Sequence, residues 1–318
     1  MQFYWIDRNG RSPLPESKIA WRPFFSSTTT SAYYLSPPLP LAATYRVVQK
    51  TYMPSKETWH NNVLHALSLI SQGKLKKVVL ARACILELQT APDPFAVVAA
   101  LKQKSQGAYV YCIASPTTAF LGASPERLFK KSSLHVETEA LAGTRARGPN
   151  PQVDAQLAQE LLTSDKDLRE FFPVRQYLCD ALSPLCAHPP LFSVPSVYQT
   201  ANVQHLYSQG SALLTHPVSD EALIERLHPT PALCGLPKSQ ALSVIQELEP
   251  FDRGLYGGVI GCMSGAESEW IVAIRSCKIE GKWVTLYSGT GIVEGSDPTL
   301  EWEELNHKLA LYDGIFTH

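Results

Sequence analysis

YSGTGIVEGSDPTLEWEELNHKLALY, Tyr287 to Tyr312, carries a strand into a helix through a run of small residues. Ser288, Gly289, Thr290 and Gly291 end the strand and let the backbone approach a ligand. Asp297 and Pro298 then supply an N-cap and a first-turn proline. On the helix, Glu301, Glu304 and Lys308 are three and four residues apart and share one face, while Trp302, Leu305, Leu309 and Tyr312 form an apolar stripe beside it. Spacing alone allows two readings of that polar face: a solvated surface with one Glu/Lys pair worth about 0.3 to 0.5 kcal/mol, or the wall of a polar site.

Working outward, the C-terminal third is rich in strands joined by tight turns. Strands are expected at 255 to 264, 268 to 279 and 282 to 289, after helices at 219 to 228 and 237 to 249 and a strand at 202 to 214. A long helical pattern covers 151 to 182, and Pro173 predicts a kink or break within it. Before it, short connections link runs at 108 to 115, 118 to 123 and 127 to 141 into antiparallel neighbours. A helix from Ser55 ends near Gly73, the run LKKVVLARACILEL at 75 to 88 reads as a strand, and a short helix opens at Asp93 and Pro94. Residues 1 to 54 are rich in Ser, Thr and Pro and look irregular, with short strand-like runs such as Tyr45 to Gln49. Hairpin-linked strands with inserted helices predict an α+β fold.

Composition excludes several classes. The net charge of −1 argues against a broad nucleic-acid footprint or a polybasic membrane patch. Seven cysteines, odd in number and without CxxC spacing, fit reduced thiols in a cytoplasmic protein and neither a disulfide frame nor a zinc site. The N-terminus lacks the pattern of a secretory signal, and no apolar run reaches the roughly 18 residues needed to cross a bilayer.

Individual residues carry chemistry only in combination. Lys77 lies either at a strand end, reaching solvent, or in a cleft where desolvation lowers its pKa and makes it a usable base. Glu126, in FLGASPERLF, is an ordinary loop carboxylate or an acid held protonated in a dry pocket. Gly143 and Thr144 offer backbone N–H groups and a hydroxyl to an anion. Asp167 and Glu170, spaced i,i+3, form a solvated acidic face or meet Glu301 and Glu304 in an all-oxygen site suited to Mg²⁺. Arg275 is expected in mid-strand, where a buried guanidinium needs an anion; His205 is also expected in mid-strand, where a single histidine is more often a satisfied core residue.

Nine ordered motifs then decide the matter: KVVLAR (77 to 82), GASPERL (122 to 128), LAGTRARG (141 to 148), SDKDLRE (164 to 170), VQHL (203 to 206), LHPTPALCGLPK (227 to 238), ELEPFDRGLYGGVIG (247 to 261), AIRSCKI (273 to 279) and GTGIVEGSDPTLEWEEL (289 to 305). Together they resemble the chorismate-utilising enzymes, and the chain looks most like an isochorismate synthase. Lys77 stands where water-using members carry the base, and Ala232 stands in HPTPALCG where salicylate-forming relatives tend to have Thr. The resemblance implies the anthranilate synthase component I-like fold, antiparallel sheets packed as a sandwich with outer helices. It also implies a catalytic domain over 55 to 318, with residues 1 to 54 as a shortened N-terminal segment packed on it.

The implied reaction is Mg²⁺-dependent conversion of chorismate to isochorismate. Lys77 would activate water for attack at C2, Glu126 would protonate the departing C4 oxygen, and His205 would lie beside the ring. Gly143 and Thr144 would bind the ring carboxylate with Mg²⁺, which Glu170 and Glu304 would hold with help from Glu301 and Asp167. Arg275, Tyr256, Lys308 and the Gly289 to Gly291 backbone would take the enolpyruvyl carboxylate. Salicylate synthesis and non-catalytic chorismate binding are the alternatives. The resemblance further implies a cytoplasmic monomer without a glutaminase partner. One departure stands out: Phe171 follows Glu170 where the family often has His.

Overall fold

Strands of alternating burial and short turns build two sheets, and the helices cover their outer faces. The structure, a computed structural model, describes every residue except Pro15, Leu35, Ser36, Gln106 and His318. In chain order, β1 (Gln2–Ile6), β2 (Lys18–Arg22), β3 (Thr30–Tyr33) and β4 (Tyr45–Met53) precede α1 (Lys56–Ser71). Next come β5 (Lys77–Leu88), α2 (Pro94–Lys104), β6 (Tyr109–Ala114), β7 (Thr118–Ser124), β8 (Arg127–Ser132) and β9 (His135–Ala146). The middle of the chain supplies α3 (Pro151–Thr163), α4 (Asp165–Leu182), β10 (Leu191–Phe192), β11 (Ser196–Gln199), β12 (Val203–Leu213), α5 (Asp220–Leu227), β13 (Gly235–Leu236) and α6 (Lys238–Leu248). It closes with β14 (Val259–Ser264), β15 (Glu267–Val272), β16 (Ser276–Glu280), β17 (Trp283–Ile292), α7 (Pro298–Leu309) and β18 (Phe316–Thr317).

Among the described residues, the first sheet runs β1-β6-β7-β16-β17-β5-β4-β18 with β13 on β5, and the second runs β10-β12-β9-β8-β15-β14-β2-β3 with β11 on β12. Every strand pair is antiparallel except β4 with β18. A core of Phe3, Trp5, Tyr111 and Phe120 from the first sheet meets Ile19, Trp21, Ile260 and Ile271 from the second, so the sheets pack face to face. A larger core lies where α1, α4, α5, α6 and α7 bury their apolar stripes, with Trp59, Phe171, Leu178, Ile224, Ile245 and Leu305 at its centre. The α+β sandwich expected from sequence is the fold observed.

Several local expectations needed correction. Residues 1 to 54 supply four strands to the two sheets, so they are woven into the sandwich and not merely packed on it. The long helix breaks at Ser164, whose extended backbone and side chain cap α4 through the Asp167 N–H, while Pro173 lies inside α4. The cap wins because Ser164 satisfies an orphan donor there. The expected strand at 255 to 264 starts only at Val259. Most consequentially, the expected strand at 268 to 279 is two strands in different sheets: β15 lies in the second and β16 in the first, and the chain passes between them at Ala273 to Arg275. Arg275 there has φ of 52°, a left-handed backbone that a bulky residue adopts only when its surroundings impose it.

The crossing has a twin. Between β7 and β8 the chain passes from the first sheet to the second at Pro125 and Glu126. Because β7 pairs with β16 and β8 with β15, the two crossings lie side by side. Backbone bonds from Ala123 N–H to the Arg275 carbonyl and from Val272 N–H to the Glu126 carbonyl, both 3.1 Å, tie them together. The helix α7 docks on α1 through Trp302 and Trp59, and the Arg82 guanidinium lies over the Trp302 ring at 3.9 Å and the Tyr52 ring at 4.5 Å. No helix among the described residues is long and apolar enough to cross a membrane.

Candidate active site

The twin crossings open one wall of a pocket between the sheets. Glu126 and Arg275 line it, with Gly143, Thr144 and His205 on a second side, and Tyr256, Gly289, Gly291 and Lys308 on a third. Glu170 and Ala232 complete the lining drawn from the sequence-predicted set. Lys77, Asp167, Glu301 and Glu304 do not line it; each lies one contact behind a residue that does.

Lys77 begins β5, yet it is buried, which decides between the two readings of its position. Its Nζ stands 3.1 Å from Glu170 Oε1 and 3.4 Å from the Glu170 carbonyl, one turn before Pro173. Burial lowers its pKa, and the negative charge of Glu170 opposes that shift. Gly291 makes this approach possible. A Cβ at residue 291 would meet Glu170 Oε1 at 2.2 Å and Lys77 Cε at 2.7 Å.

Glu126 is buried, and its carboxyl makes no hydrogen bond among the described residues. Burial first, and the neighbouring Glu139 carboxylate second, push its pKa up to about 8. The acid is therefore protonated at neutral pH.

On β9 and β12 the local geometry follows from a bulge. Thr144 pairs with His205 and Ala142 with Leu206, so Gly143 is the extra residue, and its φ of 73° is one that glycine adopts without strain. The Gly143 carbonyl faces His205 Nδ1 at 3.0 Å, and the Thr144 hydroxyl lies 3.1 Å from the same nitrogen. A carbonyl only accepts, so Nδ1 carries the proton and Nε2 accepts from Arg275 at 2.9 Å. Both ring nitrogens are thus committed. Burial and the Arg275 charge hold the imidazole at about 3, neutral at any ordinary pH. His205 accordingly orients Arg275, whose own pKa burial lowers to about 10.

The four carboxylates expected together are each engaged by a separate basic side chain. Glu170 meets Lys77, Glu304 meets Lys308 at 2.7 Å, Glu301 meets Lys166 at 2.6 Å and Asp167 meets Arg145 at 2.6 Å. Among the described residues, no three His, Cys, Asp or Glu side chains gather closely enough to hold a metal ion. Thr290 nevertheless brings two of them near one point, its hydroxyl lying 2.5 Å from Glu301 Oε2 and 2.8 Å from Glu304 Oε1. Burial pushes the Glu304 carboxyl up, but Lys308 and Lys166 outweigh it and hold the group at about 2. Glu301 and Asp167 go the other way, raised mainly by burial.

Sequence reading passed over three features of this site. Lys166 sits within the motif SDKDLRE, and an i,i+4 spacing links Glu249 to Arg253 in ELEPFDRG. Arg253 lines the pocket and donates to the carbonyls of Leu233 and Val79, both at 2.9 Å, fixing the loop that carries Ala232. Arg8, by contrast, lies outside every motif.

A family model described as chorismate binding enzyme matches residues 27–312. The chain is 41% identical over 276 residues to isochorismate synthase 2, chloroplastic, of Arabidopsis thaliana, covering 86% of this chain and 49% of the relative. It is 37% identical to isochorismate synthase MenF of Escherichia coli, covering 82% and 61%. The chain thus spans about half the length of the plant relative. The solved structure of MenF, the menaquinone-specific isochorismate synthase from Escherichia coli, superposes with a TM-score of 0.86 over 97% of this chain and 87% of that one, at 29% identity. Anthranilate synthase component I from Streptococcus pneumoniae shares the fold, with a TM-score of 0.74 at 23% identity over 85% and 60%. With the family match covering most of its length, the chain belongs to the chorismate-binding enzymes.

Proposed function

We propose that the protein is an isochorismate synthase, acting on chorismate as a cytoplasmic monomer that needs no glutaminase partner. The observation that carries this reading is a buried glutamic acid in the pocket wall whose pKa is raised to about 8, with a buried lysine whose pKa is lowered standing behind the wall against Glu170. The acid is suited to donate a proton at neutral pH, and the downward shift makes the lysine a better proton acceptor than an exposed one.

In the reaction, Lys77, acting in its deprotonated form, takes a proton from a water that forms a bond to C2 of the ring. The two ring double bonds shift toward C4, and the C4 oxygen leaves with the proton of Glu126 as water. Water is added and water is lost, so the net change is isomerisation. Arg275, held by His205, meets the enolpyruvyl carboxylate, with Tyr256, Lys308 and the Gly289 to Gly291 backbone beside it. Gly143 and Thr144 face the ring carboxylate.

The chemistry of the donor set, four carboxylates, suits a hard cation, which would have to draw them closer together than they stand here. Among the described residues, both oxygens of Asp167 and Glu301 Oε1 are buried without a hydrogen bond, although Arg145 and Lys166 stand close by as ion partners. Glu170 and Glu304 would hold Mg²⁺, with Asp167 and Glu301 supporting it through water. When bound, Mg²⁺ would neutralise and orient the ring carboxylate.

The test is incubation of purified protein with chorismate and Mg²⁺, with and without a chelator or ammonium, followed by chromatography and a pyruvate assay. The reading expects isochorismate without pyruvate, lost on chelation and in Lys77→Gln. Salicylate with pyruvate, or an ammonium-dependent amine, would overturn it and assign a sister reaction; chorismate binding without any product would make the protein a binder.

A further inference from the structure

Residues 1 to 26 precede the family match, yet one of them reaches the back of Glu126. After β1 the chain turns at Asp7 to Gly10, where Asp7 Oδ1 accepts from the N–H groups of Asn9 at 2.9 Å and Arg11 at 2.8 Å. This turn aims Arg8 inward, and its guanidinium lies between the rings of Tyr109 at 4.9 Å and Tyr198 at 5.1 Å. From there it donates to both oxygens of buried Glu139, at 2.7 and 2.6 Å, and to the carbonyl of Pro125.

Glu139 in turn accepts from the backbone N–H of Arg127 at 3.4 Å and from the Tyr207 hydroxyl at 3.2 Å, and the Arg127 guanidinium stands 3.0 Å away. The contacts to Pro125 and Arg127 fall on the two chain neighbours of Glu126. We propose that Arg8 and Glu139 are positioning residues that clamp the backbone on both sides of Glu126 and so aim its carboxyl into the pocket.

An ion pair that served stability alone would have no need to engage the Pro125 carbonyl and the Arg127 amide. Here the segment crossing between sheets has little regular pairing of its own, and the clamp supplies it. The proposal rests on Glu126 being the acid of the reaction. It also gives the pair an electrostatic consequence, because Glu126 faces Glu139 from β9, Arg8 from the turn after β1, Lys77 from β5, Lys308 from α7 and the Tyr256 hydroxyl. Removing Arg8 takes away a positive neighbour, whereas removing the Glu139 charge takes away a negative one.

The test compares wild type with Arg8→Gln, Glu139→Gln and Glu126→Gln, measuring kcat, KM for chorismate, the pH profile of kcat and the thermal midpoint. Arg8→Gln and Glu139→Gln should each lower kcat at least about tenfold with KM changed by less than about twofold. The alkaline limb should move to higher pH in Arg8→Gln and to lower pH in Glu139→Gln. Folded variants with kcat near wild type and unmoved limbs, or limbs moving in the same direction, would overturn the clamp. Should Arg8→Gln not fold, Arg8→Lys keeps the charge but loses the fork, and should lower kcat with the limb in place; unchanged kcat there also overturns the proposal. Full turnover in Glu126→Gln would instead remove the acid assignment itself, an outcome distinct from failure of the clamp alone.

Discussion

Gly291→Ala tests whether the contact between Lys77 and Glu170 matters to catalysis. The backbone at Gly291 does not have the left-handed conformation, so alanine fits the chain there, and the effect is one of space. The new methyl would lie 2.2 Å from Glu170 Oε1, whereas ordinary contact begins at 3.4 Å, so the oxygen must withdraw by about 1.2 Å. Lys77 Cε at 2.7 Å must move as well. Both obstacles are ends of side chains and not backbone, so the loss of stability should stay at about 1 to 3 kcal/mol. The loss of activity should be larger in proportion, because a displacement of about 1 Å at a reacting group lowers rates by roughly a hundredfold. Urea unfolding and kcat/KM for isochorismate formation measure the two effects separately. Gly289→Ala is the comparison: its Cβ would meet the Tyr256 hydroxyl at 2.6 Å, so it should raise KM more than it lowers kcat. A Gly291→Ala protein with wild-type kcat/KM would refute the reasoning.

Glu126→Gln should abolish turnover while stabilising the fold. The Glu126 pKa rises from 4.5 to about 8 on folding, so the stability it contributes is complete below pH 4.5 and lost as pH rises through 8. Glutamine does not ionise, and at pH 8 the variant should be more stable by on the order of 4 kcal/mol in denaturant titrations; equal stability would contradict the buried, protonated acid. His205→Ala should raise KM for chorismate by about tenfold through loss of Arg275 orientation, with a smaller effect on kcat; the reverse pattern would mean that the imidazole acts on the ring. Glu304→Ala should weaken Mn²⁺ binding, followed by electron paramagnetic resonance, by at least about tenfold, and undiminished binding would exclude Glu304 as a ligand.

Much of the fold was legible because local chemistry and packing agreed. Ser55, Asp93, Ser219 and Asp297 each cap the helix expected after them. Where the reading went astray, a residue answered to tertiary surroundings and not to its own neighbours. Pro173 sits in a continuous helix because the break is taken at Ser164. Ala273 to Arg275 continue an apolar alternation that looks like a single strand, and only the twin crossing with Pro125 and Glu126 shows why the chain leaves one sheet for the other. For the site, motifs placed the residues of the pocket wall, but periodicity carries no sign of which carboxylate meets which cation. Arg8 left no mark in the sequence, since an arginine in a polar turn reads as solvated until Glu139 is seen beside it.

The docking of α7 on α1 has an optical consequence. Trp302 lies between Glu301 and Glu304 in sequence, and its ring sits 6.3 Å from that of Trp59 with an angle of 60° between the planes. Two indoles so near and so tilted couple their excited states and should give a bisignate band in far-ultraviolet circular dichroism. The amplitude of that band depends steeply on their separation and angle. Any change in the seating of the helix that carries Glu301, Glu304 and Lys308 would therefore be readable without a label, and Trp59→Phe would identify the signal by removing it.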